Sequence, residues 1–227
     1  MSSASPNAPA AALRDDDASS AAALDRFGFL TGEARTDLRR FVALLKEWQR
    51  AHNLVARGTL DEVWTRHIAD SLQLLDHAPD YRHWVDLGSG AGFPGLVVAI
   101  ASKGHAERRF TLIEANGKKA AFLRAAIRET GANASVVAER IEAHPKIPPA
   151  DVVSARALAP LSELFRLGAP YLGEGAVMLL LKGQDFVHEL NAASKSWDFD
   201  VLDFPSVTDP GGRVLAIRNL RPRGPRP

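Results

Sequence analysis

The chain has 227 residues and no cysteine, with 28 Lys plus Arg against 27 Asp plus Glu for a formal net charge of +1. The missing cysteines exclude a disulfide framework, a thiolate metal site and a cysteine nucleophile, and 46% hydrophobic with 24% charged residues is an ordinary globular composition. No apolar run approaches the ~18 residues of a transmembrane helix, and the N-terminus lacks the charged start and apolar core of a signal peptide. A cytoplasmic protein of one domain, without membrane association, is expected. Near-zero net charge does not advertise nucleic-acid binding, for which a local basic patch suffices.

Residues 1–20 are dominated by Ala, Ser, Pro and Asp and read as a disordered tail, because such a segment buries too little surface to offset its ordering entropy. From residue 21 to about 78 the pattern is helical. Leu38, Phe41, Val42, Leu45 and Trp48 recur at three- and four-residue spacing, as do Val63, Trp64, His67, Ile68, Ser71, Leu72 and Leu75. Between these runs, Asn53-Leu54-Val55-Ala56-Arg57-Gly58 is a polar break. This N-terminal helical subdomain precedes a second unit over 79–220, and 221–227 form a basic tail.

In the second unit strands and helices alternate. Strands are expected at 84–87, 110–114, 134–137, 151–154 and 176–181, and helices at 94–101, 118–129, 160–167 and 184–193. Segments 199–202 and 213–217 close the sheet as an antiparallel pair. This alternation predicts an α/β fold with a mostly parallel sheet covered on both faces, and right-handed crossovers restrict its topology.

The richest segment is Asp86-Leu87-Gly88-Ser89-Gly90-Ala91-Gly92-Phe93-Pro94-Gly95, between the first strand and its helix. Alternate glycines let the backbone turn tightly and let a ligand touch it, and Pro94 suits a helix's first turn. Ligands of open α/β sheets bind at the carboxyl ends of strands, so a nucleotide-like cofactor belongs here. Residues 90–95 match the dinucleotide fingerprint, a weak signal alone, and no P-loop follows. Asp86 suits a ligand with a cationic end, such as the ammonium of S-adenosylmethionine. Glu114, ending the second strand, can accept ribose hydroxyls, which fits NAD and S-adenosylmethionine alike.

Three further clusters carry candidate chemistry. Glu139-Arg140-Ile141-Glu142 follows the third strand, where Ile141 can pack on an adenine face and Glu142 can read its edge; a solvated charged loop is the alternative. Ser154-Ala155-Arg156-Ala157-Leu158-Ala159-Pro160 follows the fourth, where Arg156 can bind a carboxylate or a guanine edge, or form a surface salt bridge. His67, Asp70 and Ser71 share a helical face by spacing, which composition reads as a polar contact between subdomains. No His pair has metal-ligand spacing, so no metal is expected.

Together these segments resemble one family, the bacterial small-subunit ribosomal RNA guanine-N7 methyltransferases, also called glucose-inhibited division protein B. The resemblance rests on Asn53-Leu54, Arg66-His67-Ile68-Ala69-Asp70-Ser71-Leu72, the glycine loop with its Phe93-Pro94-Gly95, Lys118-Lys119-Ala120-Ala121-Phe122-Leu123, Arg140-Ile141-Glu142, Ala155-Arg156-Ala157-Leu158-Ala159 and Leu181-Lys182-Gly183. It covers about residues 27–218 and leaves out the tail.

The resemblance implies a Rossmann-like S-adenosylmethionine-dependent methyltransferase with an N-terminal helical cap, acting on guanine N7 at one site of 16S ribosomal RNA in the small subunit or its precursor. It carries cofactor binding to Gly88, Phe93, Ile141, Glu142 and Arg156, with Asp86, Gly90 and Glu114 added by general methyltransferase logic. Glu114 departs from the aspartate of many members. The glycine loop alone leaves open a methyltransferase of a small molecule or protein. Guanine N7 has an in-plane lone pair and no proton to lose, so no general base is expected, and Arg156 is the positioning candidate. RNA contact needs positive charge, for which Arg57, Lys118, Lys119, Arg218, Arg221 and Arg223 are the candidates.

Overall fold

The computed structural model describes residues 19–143 and 146–224, apart from the Arg57 side chain. The expected tail therefore lies outside the described residues, except at its end. Residues 19 and 20 already belong to a helix, α1 (19–25). Ser20 is buried and its Oγ accepts a 3.0 Å hydrogen bond from Arg39 Nε. Serine's short polar side chain reads as tail in the sequence, yet its small volume fits against α2 (Gly32–Gln49).

Thr31 caps α2 by accepting from the Ala34 N–H at 3.1 Å. The next helical segment is irregular: a π-helical Val63–Ala69, one α turn α3 (Asp70–Leu72), and a 3-10 turn Gln73–Asp76. Then come β1 (His83–Leu87), α4 (Gly95–Ala101), β2 (Arg109–Ile113), α5 (Gly117–Thr130), β3 (Ala134–Val137), β4 (Ala150–Arg156), α6 (Leu161–Gly168), β5 (Leu172–Lys182), α7 (Phe186–Ala193), β6 (Trp197–Pro205) and β7 (Arg213–Pro222). Pro94 sits at the cap just before α4, one position short of the first turn.

The strands form one seven-stranded sheet in the order β3-β2-β1-β4-β5-β7-β6. The first five are mutually parallel, and β7 runs antiparallel to both β5 and β6. Side chains alternate across a strand with period two, and the central strands are apolar on both faces, as a covered sheet requires. Trp84, Leu112, Val152, Leu179 and Val214 join a core with α1, α2, α4 and α5. Val85, Ile113, Val153, Leu180 and Leu215 join the opposite core with α6. The N-terminal helices thus share one continuous core with the sheet: Phe41 meets Phe93 at 5.6 Å and Phe122 at 6.0 Å.

The closing pair is longer than its apolar pattern suggests. Pairing of β6 with β7 continues through Asp200↔Arg218 and Asp198↔Arg221 to Trp197↔Pro222. Arg221 and Pro222 are therefore strand residues rather than tail. The ladder's hydrogen bonds do not need an apolar core beneath them, so a polar extension of a strand leaves no hydrophobic signature.

The register fixes the functional edge. Leu87 stands beside Ile113 and Ala155, and Arg156 beside Leu181. Lys182 pairs with Arg213, which brings the β6–β7 turn to the same carboxyl edge.

Candidate functional site

The β1–α4 loop is braced by backbone hydrogen bonds from Ser89 N–H to Ile113 O at 3.0 Å and from Gly92 N–H to Ser89 O at 2.7 Å. Gly90 has φ +56°, and a Cβ there would meet nothing closer than Gly88 O at 3.8 Å, so it would project into open space. The Gly90 N–H donates to Glu114 Oε2 at 2.8 Å, and Asn116 N–H donates to Glu114 Oε1 at 2.7 Å. Glu114 is thus held at the end of β2 with lone pairs left on both oxygens.

Asp86 is not a wall of this loop's cavity. It is fully buried beneath it. Ser154 Oγ donates to Asp86 Oδ1 at 2.6 Å and itself accepts from the Trp84 indole N–H at 2.8 Å. Oδ2 has no hydrogen-bond partner among the described residues, and a Cβ on Gly95 would stand 2.7 Å from it. Burial raises its pKa to about 6, against the opposing pull of Ser154, Ser89, Gly95 and Arg156. Asp86 therefore ties β1 to β4 beside Gly95 at the start of α4, and the expected contact with a cationic ligand end is not supported by its position. A strand-end aspartate looks the same in sequence whether it faces the ligand or the helix above it.

Above the loop lies a cavity of about 290 Å³ lined by Gly88, Gly90, Glu114, Ile141, Glu142 and Arg156, among others. These are six of the eight expected cofactor residues, drawn from the loop after β1, the residue after β2, the turn after β3, and β4. Phe93 is not among them. Its ring is buried, stacked on His67 at 4.8 Å and 22°, with the Arg156 guanidinium 5.0 Å from its centroid.

A second cavity of about 550 Å³ adjoins on the β5 side, with Arg66, His67, Asp70, Lys182 and Asp185 in its wall. Arg156 and Ala157 line both cavities. Arg156 Nη1 donates to Arg66 O at 3.0 Å and to Asp70 Oδ2 at 3.3 Å. Burial pushes Arg156 down and Asp70 up, and their pairing opposes both shifts. Asp70 Oδ1 also accepts from Thr208 Oγ1 and Gln73 Nε2, each at 2.9 Å, while Gln73 Oε1 accepts from Val207 N–H at 2.9 Å. The polar face around Asp70 is thus a contact between the helical cap and the β6–β7 turn, as its composition suggests, and it also reaches into the site. Ser71 bonds within its own helix, donating to His67 O at 2.6 Å.

His67 Nε2 shares a 2.9 Å hydrogen bond with Thr59 Oγ1. Burial first, then the Arg156 and Arg66 charges, lower its pKa to about 4, so the ring is neutral near pH 7. The functional partner that sequence reasoning missed is Asp70 for Arg156; only the expected polar face hinted at it.

The basic candidates divide by edge. Lys118 and Lys119 open α5 under the Asn116 cap at the carboxyl edge, and Lys119 lines the smaller cavity. Arg57 lies in a 3-10 turn, but its side chain is outside the described residues. Arg218 Nη1 donates to Gly175 O at 3.3 Å. Gly175 is seven residues back along β5 from Lys182, roughly 23 Å at ~3.3 Å per residue. Arg221 and Arg223 pair with Asp198, Arg223 at 2.7 Å. The structure does not bring these three arginines to the site. Among the described residues no group of three or more His, Asp or Glu is placed to hold a metal ion, and no helix is long and apolar enough to cross a membrane.

Comparison with known proteins bears on the family and the fold. The family model described as rRNA small subunit methyltransferase G matches residues 34–215. A protein of that name from Rhodospirillum centenum is 52% identical over 188 residues, 82% of this chain and 85% of its own. One from Cereibacter sphaeroides is 48% identical over 192 residues, 83% of this chain and 92% of its own. Among solved structures, a TehB-like SAM-dependent methyltransferase from Corynebacterium glutamicum superposes with a TM-score of 0.54 at 13% identity, covering 77% of this chain and 96% of its own, a likeness of fold.

Proposed function

Because the chain belongs to the rRNA small subunit methyltransferase G family, we propose that it methylates guanine N7 at one site of 16S ribosomal RNA, using S-adenosylmethionine, in the cytoplasm. The observation that carries this reading is the pair of cavities meeting at Arg156 and Ala157. One has the features of a nucleoside site, and the other is large enough for a nucleobase.

The residues of the smaller cavity fit the cofactor. Gly90 leaves open space where any side chain would intrude, Glu114 offers acceptors for ribose hydroxyls, Ile141 an apolar face for adenine, and Glu142 an acceptor at its edge. When bound, S-adenosylmethionine supplies an electrophilic methyl group on a sulfonium centre. The protein then has to hold the guanine so that N7 faces that methyl group, and to exclude water. Arg156 stands between the cavities with its unused N–H groups available to the methionine carboxylate or the guanine O6. No proton has to be removed before attack. A neutral His67 adds no charge to repel the sulfonium.

Lys118 and Lys119, on the cavity side, supply the first phosphate contacts. The substrate is the small subunit or its precursor. An RNA carrying 7-deazaguanine at the target tests the assignment: it should bind nearly as well as the natural RNA and accept no methyl group. Methylation of that RNA would move the reaction to another atom. Labelled methyl appearing on a protein or small molecule, with ribosomal RNA unlabelled, would favour the other methyltransferase class.

A further inference from the structure

Two non-glycine residues of the described chain have positive φ, and one of them, Ala157 at +49°, lies on the wall common to both cavities. A left-handed alanine is strained, and such strain persists only where the surroundings over-determine the backbone. Here they do. Lys182 Nζ donates to Ala159 O at 3.3 Å and pairs with Glu189 Oε2 at 2.7 Å, and the same Oε2 accepts from Leu161 N–H at 2.8 Å. The chain just after Ala157 is therefore clamped from β5 and α7.

The clamped turn delivers Leu158. This side chain is 36% exposed and belongs to neither hydrophobic core. It lies over the glycine loop: a Cβ on Gly88 would stand 2.7 Å from Leu158 Cδ1, and Gly88 itself has φ +63°. Leu158 lines the smaller cavity beside the seam with the larger. An apolar side chain that contributes to no core, placed by a strained and doubly pinned backbone, calls for a role in the cavity rather than in the fold.

We infer that Leu158 is a positioning residue for methyl transfer: it forms the apolar wall that packs on the cofactor at the seam and keeps water from the passage between cavities. Ala157 and the Lys182–Glu189 clamp hold it there. This rests on the methyltransferase reading above, and apolar packing in a cavity is the physical gain it offers.

The test is calorimetric binding of S-adenosylhomocysteine, with melting temperature and single-turnover rate measured in parallel. Leu158→Ala should weaken binding about five- to tenfold and slow methyl transfer at saturating cofactor, with the melting temperature unchanged. Leu158→Met, which restores an apolar side chain of similar volume, should recover both. Ala157→Gly relieves the left-handed strain and keeps the clamped turn that aims Leu158, so the melting temperature should hold or rise with binding and rate near those of the wild type. Wild-type affinity in Leu158→Ala, or a Leu158→Met variant that recovers neither binding nor rate, would overturn the inference while leaving the cofactor assignment standing. A wild-type protein that binds no S-adenosylhomocysteine would overturn the cofactor reading and this inference with it.

Discussion

Arg156 and Asp70 meet at 3.3 Å across 86 positions of sequence, one at the end of β4 and the other at the start of α3. Both side chains are 17% exposed. The pair joins the helical cap to the seam between the two cavities, and Thr208 ties the β6–β7 turn to the same carboxylate.

Removing that carboxylate takes an acceptor from three donors, Arg156, Thr208 and Gln73. Asp70→Ala should cost roughly 2–3 kcal/mol in urea unfolding, below the ~3–5 of a fully buried pair because this one is partly solvated. The freed Arg156 should also lower the rate of methyl transfer more than it raises the cofactor KM. Unchanged stability would show that the contact is not energetically significant.

Asp86 and His67 make opposite demands on pH. The buried Asp86 carboxyl keeps its proton up to about pH 6 when folded, against ~3.9 when unfolded. The native state binds more protons in that window, so this contribution falls as pH rises from about 4 to 6. His67 stays neutral down to about pH 4 when folded but protonates near ~6.5 when unfolded. Its contribution is full above about pH 6.5 and is lost as pH falls toward 4. Asp86→Asn should therefore stabilise the protein at pH 8 by about 1–3 kcal/mol relative to its effect at pH 4, and His67→Gln should flatten the acid side of the stability curve. Urea unfolding from pH 4 to 8 for the wild type and each variant reads both slopes. An Asp86→Asn effect independent of pH would mean that the carboxyl does not titrate in this range.

Cofactor binding should depend on Glu114 and on the open space at Gly90. Glu114→Ala should weaken S-adenosylmethionine by about 1.5–3 kcal/mol, the range for hydrogen bonds to a charged group. Gly90→Leu should abolish binding, by filling the cavity and by forcing leucine to a positive φ. NAD should not bind. Calorimetry with both cofactors checks all three statements.

RNA affinity should follow the edges of the sheet. Lys118→Ala with Lys119→Ala should reduce the salt dependence of RNA binding by up to about two units of slope. The triple change of Arg218, Arg221 and Arg223 to Ala should leave that slope nearly unaltered, because these residues lie at the far edge and two of them are engaged by Asp198. A larger effect from the arginines than from the lysines would place the RNA across the β6–β7 face.

The element types and their order, the glycine turn and the grouping of Gly88, Gly90, Glu114 and Ile141 around one cavity were legible in the chain itself. Each depends on neighbours within a few positions: apolar period, cap and breaker residues, and a strand end followed by glycine. Tertiary structure alone decided that Asp86 lies under the loop, that Phe93 packs between His67 and Arg156, and that β7 runs on through Arg221 away from the site. It also decided the pairing of Arg156 with Asp70 and the reach of Leu158 over Gly88. Those contacts depend on which crossover packs against which strand end, and their partners, 68 to 86 positions apart for Ser154 with Asp86 and for Arg156 with Asp70, carry no mark of each other in the local pattern.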